Sequence, residues 1–257
     1  MKKLYKYLLN TLPRPLLIRL SYVFRVFAPL VYKGNKVDCP VCEKSFKKFL
    51  SYGSEITHRE NVLCPYDLTL ERHRLMWIFL KDRSNFFTAE KLDVMHIAPE
   101  QCFHGIFKKQ ANLNYTTGDL ESPIADLHFD LHSIPLKDNT YDVIFCNHVL
   151  EHVEDDKQCM QELYRILKPG GWGIFQVPID TTRVETYEDA SIISPEEREK
   201  HYWRFDHIRL YGLDYPRKLE AAGFEVEVYD YHKDLPKEQY EKYRFHADEM
   251  LYIVKKK

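Results

Sequence analysis

The chain has 257 residues, 44% hydrophobic and 30% charged, a globular composition that excludes a disordered or fibrous chain. Six Cys are too dilute for a disulfide scaffold, so a reduced, cytoplasmic setting is expected, with some Cys on a metal. Nine Gly mean that any glycine-rich cofactor loop must be sparse.

The net charge of -2 hides an asymmetry. Residues 1–36 carry Lys2, Lys3, Lys6, Arg14, Arg19, Arg25, Lys33 and Lys36 and no acid, a +8 arm on a -10 body. The arm, rather than the body, is therefore the part suited to an anionic surface. A helix is expected over 15–28, with Pro15 in its first turn. Arg19 and Arg25 interrupt the apolar run well below the roughly 20 residues of a membrane span, and no small-x-small cleavage site follows. Two readings stay open for the arm: peripheral contact with a membrane interface, or a helix packed on the protein's own body. Residues 37–68 form a second unit, VDCPVCEKSFKKFL…RENVLCPYDL, and the linking helix of segment 69–89 reads from Leu68 to Lys81 (LTLERHRLMWIFLK).

From about residue 90, strand patterns alternate with helical ones. KLDVMHIA, NLNYTTGD, ADLHFD, TYDVIFCN and WGIFQVP read as strands. PEQCFHGIFKKQ and EDDKQCMQELYRILKPGG read as helices, the latter stopped by Pro and Gly. YPRKLEAAGFEVEVYDY is helix, Gly stop, strand, and EMLYIVKK is a last strand. This order implies a Rossmann-like α/β sheet, mostly parallel and covered on both faces. In such sheets ligands bind beyond the carboxyl ends of the strands, where strand order reverses. The positions to read are therefore Ala98 to Gln101, Asp119, Asp130 with Leu131, Asn147 with His148, and Pro178 to Asp180.

TGDLESP, FDLHSIPLKDNTYDVIFCNHVLEHVEDD and above all ELYRILKPGGWGIFQVP resemble the class I S-adenosylmethionine (SAM)-dependent methyltransferases, in their small-molecule branch, over 90–257. The resemblance implies a sheet whose last strand is antiparallel. It implies ribose binding by Asp119 with Leu120 beside it, adenine contact at Asp130 and Leu131, and the methionine side of SAM at Asn147 and His148. The family's first motif is usually Gly-x-Gly-x-Gly. Here His96, Ile97, Ala98, Pro99 and Glu100 stand instead, which implies altered cofactor contacts through His96, Ala98, Pro99 and Glu100. Methyl transfer mainly needs alignment, with a base where the acceptor is a hydroxyl. His148, His207 and Arg209 are the catalytic candidates, with Glu151, His152 and Asp180 nearby. A small-molecule, glycan or lipid acceptor methylated at oxygen is expected, and the acidic body argues against nucleic acid. Two rival readings are a binding protein on a degenerate methyltransferase fold and a metal hydrolase using HVLEH (His148, Glu151, His152) on a helix.

Cys39-Pro-Val-Cys42 followed by Cys64-Pro-Tyr-Asp67 resembles the zinc-ribbon-like modules that precede some methyltransferase domains. Asp67 stands where a fourth Cys is expected. Zinc on Cys39, Cys42, Cys64 and Asp67 is one reading, with His58 and His73 as alternative fourth ligands, and three packed free thiols are the other. Cys102, Cys146 and Cys159 read as buried apolar residues.

Overall fold

A computed structural model describes residues 12–53, 56–246 and 249–257; Lys2, Lys3 and Lys6 of the basic arm lie outside them. The chain opens with helix α1 (Arg14–Tyr32). It is longer than the expected 15–28 because the helix runs through Pro29, which forfeits one hydrogen bond near the last turn without ending the helix. Two ribbons follow, β1 (Lys33–Cys39) with β2 (Lys44–Phe46) and β3 (Leu50–Tyr52) with β4 (Arg59–Leu63). They lead into α2 (Glu71–Asp82).

The remaining elements are β5 (Leu92–Ile97), α3 (Gln101–Phe107), β6 (Leu113–Asp119), β7 (Leu127–His128), β8 (Tyr141–Asn147), α4 (Asp156–Ile166) and β9 (Leu167–Gln176). After these come β10 (Tyr187–Glu188), α5 (Pro195–Tyr202), β11 (Arg209–Leu210), α6 (Tyr215–Ala221), β12 (Glu225–Tyr229), α7 (Lys237–Tyr243) and β13 (Leu251–Lys255). Seven strands form one sheet in the order β12-β13-β9-β8-β5-β6-β7. β5 to β9 are mutually parallel, and the last strand, β13, runs antiparallel between β12 and β9. This is the expected sheet. β7 is shorter than the ADLHFD pattern, and α5 with the β10–β11 ribbon lies between β9 and α6.

Side-chain alternation along β8 sends Val143 and Phe145 to one face and Ile144 and Cys146 to the other. Both faces are covered, which is why the strand is apolar throughout. The first face packs α2 and α3 together with Val37, Phe46, Phe49 and Cys64 of the cysteine unit in a single core. The second packs α4 and α6. Arg74, fully buried, pins the cysteine unit to both neighbours: it donates to the carbonyls of Val62, Thr69 and Tyr243 at 2.8–2.9 Å and stacks 4.5 Å over Phe49.

Candidate active site

Strand order reverses between β5 and β8, so the crevice beyond their carboxyl ends is where a ligand is expected. Two residues there have left-handed backbones, Ala98 at φ 48° and His148 at φ 57°. Such conformations cost a non-glycine residue about 1–2 kcal/mol and persist only where neighbours enforce them. Here the enforcement is backbone hydrogen bonding to the next strand, from Ala98 N to Gly118 O (2.8 Å) and from His148 N to Gln176 O (2.7 Å). Ala98 thus adopts the left-handed turn for which glycine is the usual residue.

Glu100, just before α3, turns inward. One carboxylate oxygen meets Nε2 of His96 and the other accepts from Asn147 Nδ2 at 3.1 Å. Burial alone would raise this carboxyl, but His96, then His73 and Arg72, hold it down at about 2. His96 is fully buried and its Nδ1 pairs with the Tyr115 hydroxyl at 2.7 Å. Among the expected cofactor contacts, His96 and Glu100 therefore form an internal brace under the turn, with Asn147 joined to it. Pro99 lies within the turn they support.

Asp119 ends β6 with one carboxylate oxygen accepting from the Glu121 and Ser122 amides at 2.8 and 2.7 Å. That turn fixes the carboxylate at the strand end. Gly118 before it is required by close approach, since a Cβ there would stand 2.5 Å from the Phe129 ring. Leu120 is exposed, Leu131 is buried, and Asp130 is exposed, its carboxyl lowered by the backbone and ring of His132.

A cavity of about 500 Å³ opens beside the carboxyl ends of β8 and β9. It is walled by His58, Arg59, Glu71 and Arg72 from the N-terminal part, by His148, Glu151 and Asp180 from the strand ends, and by His207 and Glu249. His148 Nδ1 donates to Glu151 Oε1 at 3.2 Å, while its Nε2 is buried without a hydrogen-bond partner. Burial lowers the pKa of His148 despite the adjacent Glu151 carboxylate. Burial also takes His207 down to about 4. Both imidazoles are therefore neutral near pH 7 and able to accept a proton.

Arg209 corrects the sequence reading. It is 1% exposed, and its guanidinium is spent on the carbonyls of Leu150, Val153 and Glu154 and on the Glu188 carboxylate. It holds the turn after β8 and offers no donor to an acceptor molecule. Asp206, three residues before it, pairs with Arg204 instead. HVLEH lies in a turn, so the helical i, i+4 geometry of the hydrolase reading is absent. Glu249 was not legible in sequence: it sits in an irregular segment before β13 and reaches the cavity only through the return of the chain.

In the N-terminal unit, one ligand atom each from Cys39, Cys42, Cys64 and Asp67 lies within 4.8 Å of the others. Asp67 Oδ2 accepts from Cys39 Sγ at 3.1 Å, and Oδ1 is held by Thr69 at 2.7 Å. The donor set of three soft sulfurs and one carboxylate fits a divalent ion of the zinc type. His73 and His58 are placed elsewhere, His73 Nε2 at 3.9 Å from Glu100 and His58 on the cavity wall.

Residues 95–175 match the family model described as a methyltransferase domain. The chain is 33% identical over 100 residues to a probable S-adenosylmethionine-dependent methyltransferase of Mycolicibacterium smegmatis, covering 39% of this chain and 35% of that one. It is 31% identical over 143 residues to the arsenite methyltransferase of Aquipseudomonas alcaligenes, covering 54% and 38%. The match thus spans less than half the length of these curated relatives. Among solved structures, the [4+2]-cyclase SpnF superposes with a TM-score of 0.50 at 14% identity, covering 91% of this chain and 93% of that one; this likeness speaks to the fold alone. The mostly parallel seven-stranded sheet and the match over residues 95–175 support a methyltransferase-type domain in this part of the chain. It is preceded in this chain by a cluster of three cysteines and an aspartate.

Proposed function

We propose that the chain transfers the methyl group of SAM to a small-molecule acceptor, at oxygen, in the cavity beside His148. The observation that carries this reading is the reversal of strand order between β5 and β8, where the left-handed Ala98 and His148 turns stand, with His148 also lining the 500 Å³ cavity. SAM would lie across the ends of β6, β5 and β8, its ribose on Asp119, its adenine near Asp130 and Leu131, and its methionine end by Asn147. The brace of His96, Glu100 and Asn147 positions that turn without itself reaching out. Relatives named for arsenite, dimethylglycine and quinone methylation support a small acceptor, and the cavity is metabolite-sized.

SAM supplies an activated methyl on a good leaving group, so the protein's task is alignment and, for a hydroxyl acceptor, removal of one proton. His148, which lines the cavity with its Nδ1 anchored on Glu151 and its Nε2 without a partner, would take that proton. Calorimetry with SAM and S-adenosylhomocysteine tests the reading. Binding that falls at least tenfold in Asp119→Ala, with the fold retained, is expected. No binding of either compound at millimolar concentration would sink it.

Two further assignments belong with this proposal. Zinc on Cys39, Cys42, Cys64 and Asp67 is supported by the donor set and by fully buried Arg74, a cation whose burial calls for negative charge nearby. Its role would be structural, tying β1 to the segment before α2. For α1, peripheral contact with an anionic lipid surface is supported by exposed Leu16, Leu20, Val23, Phe27 and Leu30, which recur at helical spacing. The +8 charge of residues 1–36 complements such a surface. No helix among the described residues is long and apolar enough to cross a membrane.

A further inference from the structure

The turn after β8 holds a second cluster that methyl transfer does not by itself require. One ligand atom each from Glu151, His152 and His207 lies within 4.8 Å of the others. Glu151 is 1% exposed, and its Oε2 is buried with no hydrogen-bond partner. A carboxylate oxygen left in that state is costly, so something in the working protein is expected to meet it. The two imidazoles are arranged in the manner of metal ligands. His207 Nδ1 is held by the Tyr202 carbonyl at 3.0 Å, and its Nε2 stands 3.9 Å from Glu151 Oε1. His152 Nδ1 is held by the Asp206 carbonyl at 3.0 Å. Each carbonyl keeps the ring proton on Nδ1 and the lone pair on Nε2, the anchoring that ligating histidines commonly show.

We propose that Glu151, His152 and His207 bind a divalent cation at the wall of the acceptor cavity. Two imidazoles and one carboxylate suit zinc, iron(II), cobalt(II) or manganese(II), leaving positions for water or for an oxygen of the acceptor. The donor set differs from the sulfur-rich cluster at Cys39, so the two sites sort metals by softness. Placing the acceptor's oxygen on this cation rests on the methyl-transfer reading; binding of the cation does not.

The test is titration of the full chain with Mn²⁺, counting free ion by electron paramagnetic resonance in the absence of SAM. Manganese is chosen because thiolates compete for it poorly. One Mn²⁺ per chain is expected, with affinity reduced at least tenfold in Glu151→Gln and unchanged in Cys42→Ser. His152→Asn serves as the second variant, so that misfolding of one does not decide the matter; circular dichroism checks both. Absence of bound Mn²⁺ from the folded wild type, or equal binding by wild type and a folded ligand variant, overturns the proposal. Since SAM binding is measured separately, loss of this site leaves the methyl-transfer reading standing, and the converse also holds.

Discussion

Glu249→Gln is the perturbation with the most readable consequence. Burial raises the Glu249 carboxyl from an ordinary 4.5 to about 7, helped by Glu71 and opposed by Arg72 and Arg59. At about 1.4 kcal/mol per pH unit, that rise corresponds to at most about 3.4 kcal/mol. Between the two values the folded protein binds more protons than the unfolded chain, so stability falls as pH rises through this window. Water reaching the cavity trims the effect, which leaves a loss of about 1–2 kcal/mol between about pH 5 and 7. Glutamine stays neutral and escapes the loss. Urea unfolding of wild type and variant at a series of pH values isolates the group, because every other titration is shared. His207, for example, held down at about 4, loses stability in the opposite sense, as pH falls below the ordinary histidine value, and does so in both proteins. The stability difference should move toward the variant by about 1–2 kcal/mol as pH rises from about 5 to 7. A difference that stays flat over that range refutes the raised Glu249 carboxyl.

Arg74→Met should destabilise the fold by about 3–5 kcal/mol in denaturant unfolding, because it strands the carbonyls of Val62, Thr69 and Tyr243; a loss under about 1 kcal/mol contradicts the pinning role. Ala98→Gly relieves a left-handed alanine and should be neutral to about 1 kcal/mol stabilising, whereas a clear loss of stability would mean that the methyl group is packed to advantage. Purified protein should carry zinc on the cysteine cluster, and Cys39→Ser should carry one zinc fewer per chain; identical metal content in both rules out the cysteine site. Flotation with anionic vesicles should fail for the Val23→Asp, Phe27→Asp, Leu30→Asp triple variant and for wild type on zwitterionic vesicles; equal flotation of variant and wild type on anionic vesicles removes the lipid contact.

Much of the architecture was legible in order of sequence. Strand and helix differ in the spacing of their apolar residues, a property of neighbours along the chain, so the α/β class and the ends of β5, β6 and β8 could be read locally. The same reading put Asp119 and Asn147 at strand ends, with His148 just beyond, and the structure has them there. The cysteine spacing likewise pointed to Cys39, Cys42, Cys64 and Asp67, which the fold gathers within 4.8 Å.

Which way a polar side chain turns was decided by tertiary structure. Glu100 and His96 look exposed to a cofactor in sequence, yet the buried Asn147 and half-buried Tyr115 draw them into a brace. Arg209 looks available, yet three carbonyls and Glu188 claim it. The cavity itself joins residues from 58 to 249, and no local pattern records such a meeting. Periodicity is set by the backbone and survives any context. Partner choice for a charged or hydrogen-bonding group depends on what else is excluded from water beside it, and that is known only once the chain has folded.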